Sequence, residues 1–299
     1  MAAAVSRVGS PVLVGLDPRY ELLPEVLKDG SDTSSAVRAT AYSVFCRGII
    51  DVVASRVAAV KPQVAFFEQL GPAGMNALAD VIAYAQQKKL LVIIDGKRND
   101  IGSTATAYAE GLLGAEGQSP WGGDALTVSP YLGDDSLAPF VDVAQERDAG
   151  LFVLVKTSNP GGAMFQDLVA EGRPLYRHVG EYVEGLAAKT AAECGYGIVG
   201  AVIGATHPEQ LSELRAAMPH TWFLVPGFGS QGGSAANVAA AFDPRGLGAI
   251  INNSRGINFA YTKAPYKEKY GAALWQEAAG AALSDMIDQL RSETPAGNL

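Results

Sequence analysis

The sequence predicts an α/β protein built as a single (β/α)8 (TIM) barrel spanning residues 1–299. Three observations predict it. Eight short runs rich in apolar and β-branched residues recur at 12–17, 58–64, 90–97, 125–130, 151–158, 199–206, 222–227 and 249–254. Helical patterns fill the intervals, at 35–55, 73–88, 104–113, 135–146, 179–193, 208–218, 235–241 and 267–291. Ionisable and hydroxyl side chains gather where the runs end, the mouth at which barrels of this class carry their chemistry. No composition break or linker interrupts the alternation. The competing arrangement is an open doubly wound sheet. It would place a G-x-G-x-x-G turn after the first strand, where Val14-Gly15-Leu16-Asp17-Pro18 stands instead.

Taken in order, the first run ends in Asp17 and the second carries Lys61 within Ala59-Val60-Lys61-Pro62-Gln63. The third begins with Leu90-Leu91-Val92-Ile93-Ile94, a strand buried on both faces, and continues as Asp95-Gly96-Lys97-Arg98-Asn99-Asp100-Ile101. Asp95 and Lys97 are two residues apart, so on a strand they leave from the same face. A buried carboxylate beside a buried ammonium is costly unless the two are paired or used. In isolation such a pair is as consistent with a structural ion pair as with chemistry. Gly102-Ser103 look like the start of the next helix, so a turn separates Asp100 from the strand. The fourth run has Ser129 near its end, the fifth ends in Thr157-Ser158-Asn159, and the sixth ends in Thr206. The seventh leads into Gly227-Phe228-Gly229-Ser230-Gln231-Gly232-Gly233 and the eighth into Ser254-Arg255-Gly256.

The two glycine-bearing loops would be flexible turns if met alone. Their position changes the reading, because loops after the seventh and eighth strands commonly cradle phosphate with backbone N–H groups. Gly229, Gly232, Gly233 and Gly256 would form that cradle. Gln231 would add an amide donor and Arg255 a planar fork for bidentate phosphate binding. A phosphorylated substrate is the expectation.

The formal net charge of −8 argues against nucleic acid as a partner, which needs a basic face. Cys46 and Cys194 are far apart with no C-x-x-C spacing, and His178, His207 and His220 form no metal-ligand pattern, so neither a disulfide framework nor a metal site is expected. His207, before Pro208, is expected to be a local loop residue. The N-terminal residues lack the apolar stretch of a signal peptide and no 18-residue apolar run occurs, so a soluble, cytoplasmic protein without membrane contact is expected. The tail 292–299 is expected to be disordered.

These residues resemble a family. Asp95-Gly96-Lys97-Arg98-Asn99-Asp100-Ile101 is similar to the D-x-K-x-x-D-I signature of the orotidine 5'-phosphate decarboxylases, and Gly15-Leu16-Asp17, Lys61, Thr157-Ser158-Asn159-Pro160-Gly161, the stretch 226–233 and Ser254-Arg255-Gly256 match its other blocks in order. D-x-K-x-x-D alone is shared with a wider set of phosphosugar enzymes; the full set is specific. Lys61-Pro62-Gln63-Val64-Ala65-Phe66-Phe67-Glu68 and the chain length resemble the longer bacterial branch. The resemblance implies decarboxylation of orotidine 5'-phosphate to UMP without a cofactor. It implies a catalytic array of Lys61, Asp95, Lys97 and Asp100, with Lys97 protonating C6 of the pyrimidine. Asp17 and Lys61 would hold the ribose hydroxyls with Thr104 assisting, Ser158 the pyrimidine, and Gln231 and Arg255 the 5'-phosphate. Asp100 and Ile101 would enter the site of a second subunit, which implies a homodimer. Thr157 and Asn159 sit where relatives differ, and the connections 19–34 and 159–177 have no role that the resemblance assigns.

The chemistry suits such a set. Loss of CO2 from C6 leaves an sp2 carbanion without the electron sink a pyridoxal or thiamin cofactor would supply, so fixed charges must stabilise it. Three other readings remain open at this point. One is a magnesium-dependent phosphosugar decarboxylase or aldolase, disfavoured by Lys61 on the second strand with Glu68 on the following helix. Another is a Schiff-base aldolase using Lys61 or Lys97. The last is a non-catalytic nucleotide-binding barrel, which would have no need of four opposed buried charges.

Overall fold

The computed structural model describes residues 1–28, 33–115, 117–229 and 232–299. The eight expected strands are all present: β1 (Val12–Leu16), β2 (Ala59–Pro62), β3 (Leu91–Arg98), β4 (Ala125–Val128), β5 (Gly150–Lys156) and, after a small hairpin of β6 (Val169–Ala170) with β7 (Arg173–Pro174), β8 (Val199–Ile203), β9 (Phe223–Val225) and β10 (Ala249–Asn253). The hairpin is antiparallel. The other eight pair in parallel and close into a barrel in the order β1-β2-β3-β4-β5-β8-β9-β10. The fold class is therefore the expected one.

Alternation along each strand divides the core in two. Outward residues such as Val12, Val14, Val60, Val92, Ile94, Leu126, Val153 and Ile251 are fully or almost fully buried against the surrounding helices. Inward residues Leu13, Ala59, Ile93, Ala125, Phe152, Leu224 and Ile250 fill the lower half of the barrel. There they meet Ala4 and Val5 of α1 (Ala2–Val8), a helix that closes the amino-terminal end. The inward positions nearer the carboxyl mouth change character to Lys61, Asp95, Thr127 and Asn252, all buried. The barrel thus has an apolar floor and a polar roof. Register shifts fall at that roof, between Ile94 and Arg98 on β3 and between Leu154 and Lys156 on β5. Irregularities of this kind re-aim side chains at the rim of a barrel.

The helices follow in chain order: α2 (Ser35–Val53), α3 (Val64–Glu68), α4 (Gly71–Gln87), α5 (Gly102–Leu112), α6 (Asp134–Glu146), α7 (Ala163–Gln166), α8 (Leu175–Lys189), α9 (Pro208–Ala217), α10 (Ala235–Val238), α11 (Arg255–Asn258), α12 (Tyr266–Tyr270) and α13 (Trp275–Glu293). No helix among the described residues is long and apolar enough to cross a membrane.

Two expectations need correction. The helix expected over 267–291 is two helices, because Gly271 takes a φ of +61° and turns the chain between α12 and α13. The tail expected to be disordered is ordered. Helix α13 runs to Glu293, a short 3-10 turn covers Pro295–Asn298, and Ala296 is buried with Leu299 packed against the core. The Thr294 side chain caps that turn by accepting from the Ala296 N–H at 3.1 Å, and the burial of Ala296 supplies what the polar sequence of the tail did not advertise.

Candidate active site

Asp95 is the centre of the polar roof. It sits inward near the end of β3, and four donors fill its two oxygens. Lys61 Nζ lies 2.5 Å from Oδ2 and Gln63 Nε2 3.0 Å from the same atom. Lys97 Nζ lies 2.6 Å from Oδ1 and the Thr127 hydroxyl donates to that atom at 2.9 Å. A carboxylate oxygen accepts about two bonds, so Asp95 is saturated. Burial pushes its pKa up, but the Lys61 and Lys97 ammoniums outweigh that and hold it well below the ordinary carboxylate range. Burial likewise pushes Lys61 down, and the carboxylates of Asp95 and Asp17 more than reverse it, leaving the ammonium harder to deprotonate than usual.

The two lysines differ in setting. Lys61 is buried at 5% exposure, whereas the Lys97 side chain is 47% exposed and faces open space. Both line a cleft of about 480 Å³, together with Asp95, Thr127, Ser158, Asn159, Phe165, Gln166 and Pro226. A separate cavity of about 360 Å³ lies at the opposite, amino-terminal end of the barrel, lined by Leu91, Ile93, Phe152 and Trp222, away from this chemistry. Ser158 is held by close packing: a Cβ on Gly204 would fall 2.7 Å from the Ser158 Cα, so only glycine lets the chain just after β8 approach this near.

Of the residues read from the sequence, Lys61, Asp95, Lys97 and Ser158 come together in the cleft. Asp17 follows β1 close enough to Lys61 to raise its pKa, and its Oδ1 is buried with no hydrogen-bond partner among the described residues. Asp100 does not line the cleft; its Oδ1 accepts from the Ile101 N–H at 2.9 Å. Ile101, 55% exposed, and Thr104 lie at the start of α5 and are open to solvent. Gln231 lies outside the described residues.

The glycine loops differ from expectation. The N–H groups of Gly229, Gly232 and Gly233 donate to the carbonyls of Gly233, Gly229 and Gly227 at 2.8, 3.0 and 3.1 Å. The Gly256 N–H donates to Asn253 Oδ1 at 3.1 Å. All four amides are therefore engaged within the protein, and in the seventh loop Phe228 is bridged to Gly233. Positive φ at Gly229 (+66°) and Gly232 (+91°) requires glycine there. Arg255 opens α11 directly after β10 and Ser254.

Gln63 and Thr127 were missed by the sequence reading. The signal existed: Gln63 is two residues beyond Lys61, hence on its face, and Thr127 is the one hydroxyl in the run Ala125-Leu126-Thr127-Val128. Glu68, a carboxylate that a metal-dependent alternative would call upon, is ion-paired with Arg98.

A closed eight-stranded barrel with a lysine–aspartate–lysine set at its carboxyl mouth belongs to the class that runs its chemistry on strand ends. Comparison with known proteins narrows this. The model of the Orotidine 5'-phosphate decarboxylase / HUMPS family matches residues 10–268. Orotidine 5'-phosphate decarboxylase of Rhodopirellula baltica is 56% identical over 292 residues, covering 97% of each chain. That of Halobacterium salinarum is 41% identical over 293 residues, covering 97% of this chain and 96% of its own. The structure of Leishmania donovani OMP decarboxylase matches with a TM-score of 0.74 at 33% identity, covering 97% of this chain and 95% of that one. The chain belongs to the Orotidine 5'-phosphate decarboxylase / HUMPS family.

Proposed function

We propose that this chain converts orotidine 5'-phosphate to UMP and CO2, using Lys97 as the acid at C6. The observation that carries the reading is the Lys61–Asp95–Lys97 set, buried at one end and open at the other, in a cleft that also holds Ser158. The substrate carboxylate enters beside the Asp95 carboxylate, which stays ionised. The C6–CO2 bond breaks and its electron pair remains on C6. The Lys97 ammonium stabilises that charge through a fixed, partly desolvated position and delivers a proton to C6. The neutral amine then recovers a proton from solvent through its open side. Lys61 holds Asp95 ionised and in place.

The remaining contacts follow the substrate outward. The unpartnered Oδ1 of Asp17 is an acceptor suited to a ribose hydroxyl, with Lys61 beside it. Ser158 binds the pyrimidine. Arg255 holds the phosphate, and the Gly229, Gly232 and Gly233 amides join only by exchanging their internal bonds. Phosphate binding far from C6 then contributes to orienting the ring. Asp100 and Ile101 complete the site of a second copy in a homodimer, a reading supported by their standing outside the cleft of their own chain.

The test is to incubate the protein with orotidine 5'-phosphate in a metal chelator and follow UMP by absorbance and CO2 by release. Turnover is expected at full rate. No UMP from a folded sample contradicts the proposal.

A further inference from the structure

We infer that Thr127 is a positioning residue for this reaction, its single hydroxyl tying the Asp95 carboxylate to the backbone amide of Lys97 and so fixing where the Lys97 ammonium stands. The inference rests on the function proposed above and deepens it.

The geometry is specific. Thr127 is 2% exposed, at the inward position between Leu126 and Val128, which face the helices. Its Oγ1 donates to Asp95 Oδ1 at 2.9 Å and accepts from the Lys97 N–H at 2.9 Å. A hydroxyl has one hydrogen and two lone pairs, so it makes both bonds at once. The three-residue arc Asp95-Gly96-Lys97 is thereby pinned at both ends by one atom.

That arc needs pinning. Lys97 has a φ of +44°, a region that residues with a Cβ rarely occupy unless their surroundings hold them there. The other non-glycine residues with positive φ among those described, Lys89, Asp148 and Glu171, stand in turns, whereas Lys97 stands within β3. The register between β3 and β4 shifts between Ile94 and Arg98, so the regular ladder is interrupted over this stretch. The Thr127 side chain takes the place of a backbone acceptor for the Lys97 amide. Without it that amide would lose its partner and Asp95 Oδ1 would keep only the Lys97 ammonium. Lys61 and Gln63 still anchor Oδ2, so the carboxylate gains rotation about that oxygen and carries the Lys97 ammonium with it. The Lys97 side chain is half exposed, so little else restrains it.

Thr127→Val keeps the branched shape and removes both bonds, while Thr127→Ser keeps the hydroxyl. With Val, kcat on orotidine 5'-phosphate is expected to fall about tenfold to a hundredfold, the range for losing a hydrogen bond to a charged group. KM and UMP affinity should stay within about threefold, and Ser should keep kcat within about threefold. A Val variant with wild-type kcat overturns the inference. So does one whose only change is a raised KM, which would make Thr127 a substrate contact, and so does a Ser variant as slow as Val. Crystal structures of the two variants provide a readout independent of turnover: the Lys97 φ or its Nζ position should shift in Val and not in Ser, and unchanged geometry in Val contradicts the inference. Wild type that folds but makes no UMP would instead remove the function proposed above, and the crystal comparison would still decide what Thr127 holds. Should Val fail to fold, Thr127→Ala takes its place with the same expectations.

Discussion

At the scale of the residue, Asp95 sets the charge balance of the barrel mouth. Its folded-state pKa lies below its unfolded value of about 3.9, so the stability it contributes is fully present above that pH and is lost only as pH falls through the lower folded value. Lys61 runs the other way. Its folded pKa is raised, so its contribution is complete below about 10.4 and fades as pH rises beyond it. The buried pair therefore stays charged across the whole range between. A pH–stability curve from pH 5 to 9 should show no transition assignable to it, and any acid limb of kcat/KM above about pH 4 belongs to another group. Asp95→Asn, by contrast, leaves the Lys61 ammonium buried and short of its main partner. It should lower unfolding free energy by about 3 kcal/mol, the low end for breaking a buried pair because Asp17 still attracts Lys61. Urea unfolding of the variant checks this; a variant as stable as wild type would mean that Asp95 is not the counter-ion described.

At the scale of the element, the end of β5 carries a second buried lysine that holds the segment leading to α8. Lys156, 1% exposed at the end of β5, is ion-paired with Asp167, directly after α7, and lies over the Tyr176 ring at 5.3 Å. Phe165 and Gln166 of the same segment line the cleft, and Gln166 also bonds the Thr157 amide and hydroxyl at 3.0 and 2.8 Å. Lys156 thus tethers one wall of the site to the barrel. The charge that Lys156→Met leaves behind is on Asp167, whose side chain is 42% exposed and can be hydrated, and the Met fills the buried site, so the variant should unfold within about 1 kcal/mol of wild type. Its KM should rise several-fold with kcat less affected, and steady-state kinetics with an unchanged KM would show that the tether does not shape the cleft.

The elements also show what could be read from the chain and what could not. All eight barrel strands were legible because each is a short apolar run, six of them ending in Gly, Pro, Asp or a hydroxyl residue. Alternation put Asp95 and Lys97 on one face, and the strand ends and the family resemblance pointed to Lys61 and Ser158. The break at Gly271 was hidden inside an otherwise helical pattern. The order of the tail depends on Ala296 finding a buried place, which is a tertiary fact. The engagement of the Gly229, Gly232 and Gly233 amides within the protein is a tertiary fact that no glycine spacing encodes. Thr127 looked like one more β-branched strand former until its hydroxyl was seen between Asp95 and Lys97.

At the scale of the whole molecule, one barrel assembles the lysine–aspartate–lysine set yet leaves Asp100 and Ile101 outside its own cleft. If each subunit of a two-fold dimer lends Asp100 to the other, Lys97→Ala and Asp100→Ala are each nearly inactive alone but complement when mixed. Random re-association makes about half the dimers hybrids, each with one intact site, so activity should return to roughly a quarter of wild type. No recovery, with hybrids verified by native mass spectrometry, would place Asp100 in the site of its own chain.

The central claim is that Lys97 stabilises and protonates the C6 carbanion, and the turnover of Lys97→Ala on orotidine 5'-phosphate tests it most directly. Loss of both the acid and the fixed positive charge should reduce kcat by roughly ten-thousand-fold or more. UMP should still bind, because the proposed ribose and phosphate contacts, Asp17, Lys61 and Arg255, do not include Lys97. A folded Lys97→Ala variant that keeps about a tenth of wild-type turnover would contradict the account.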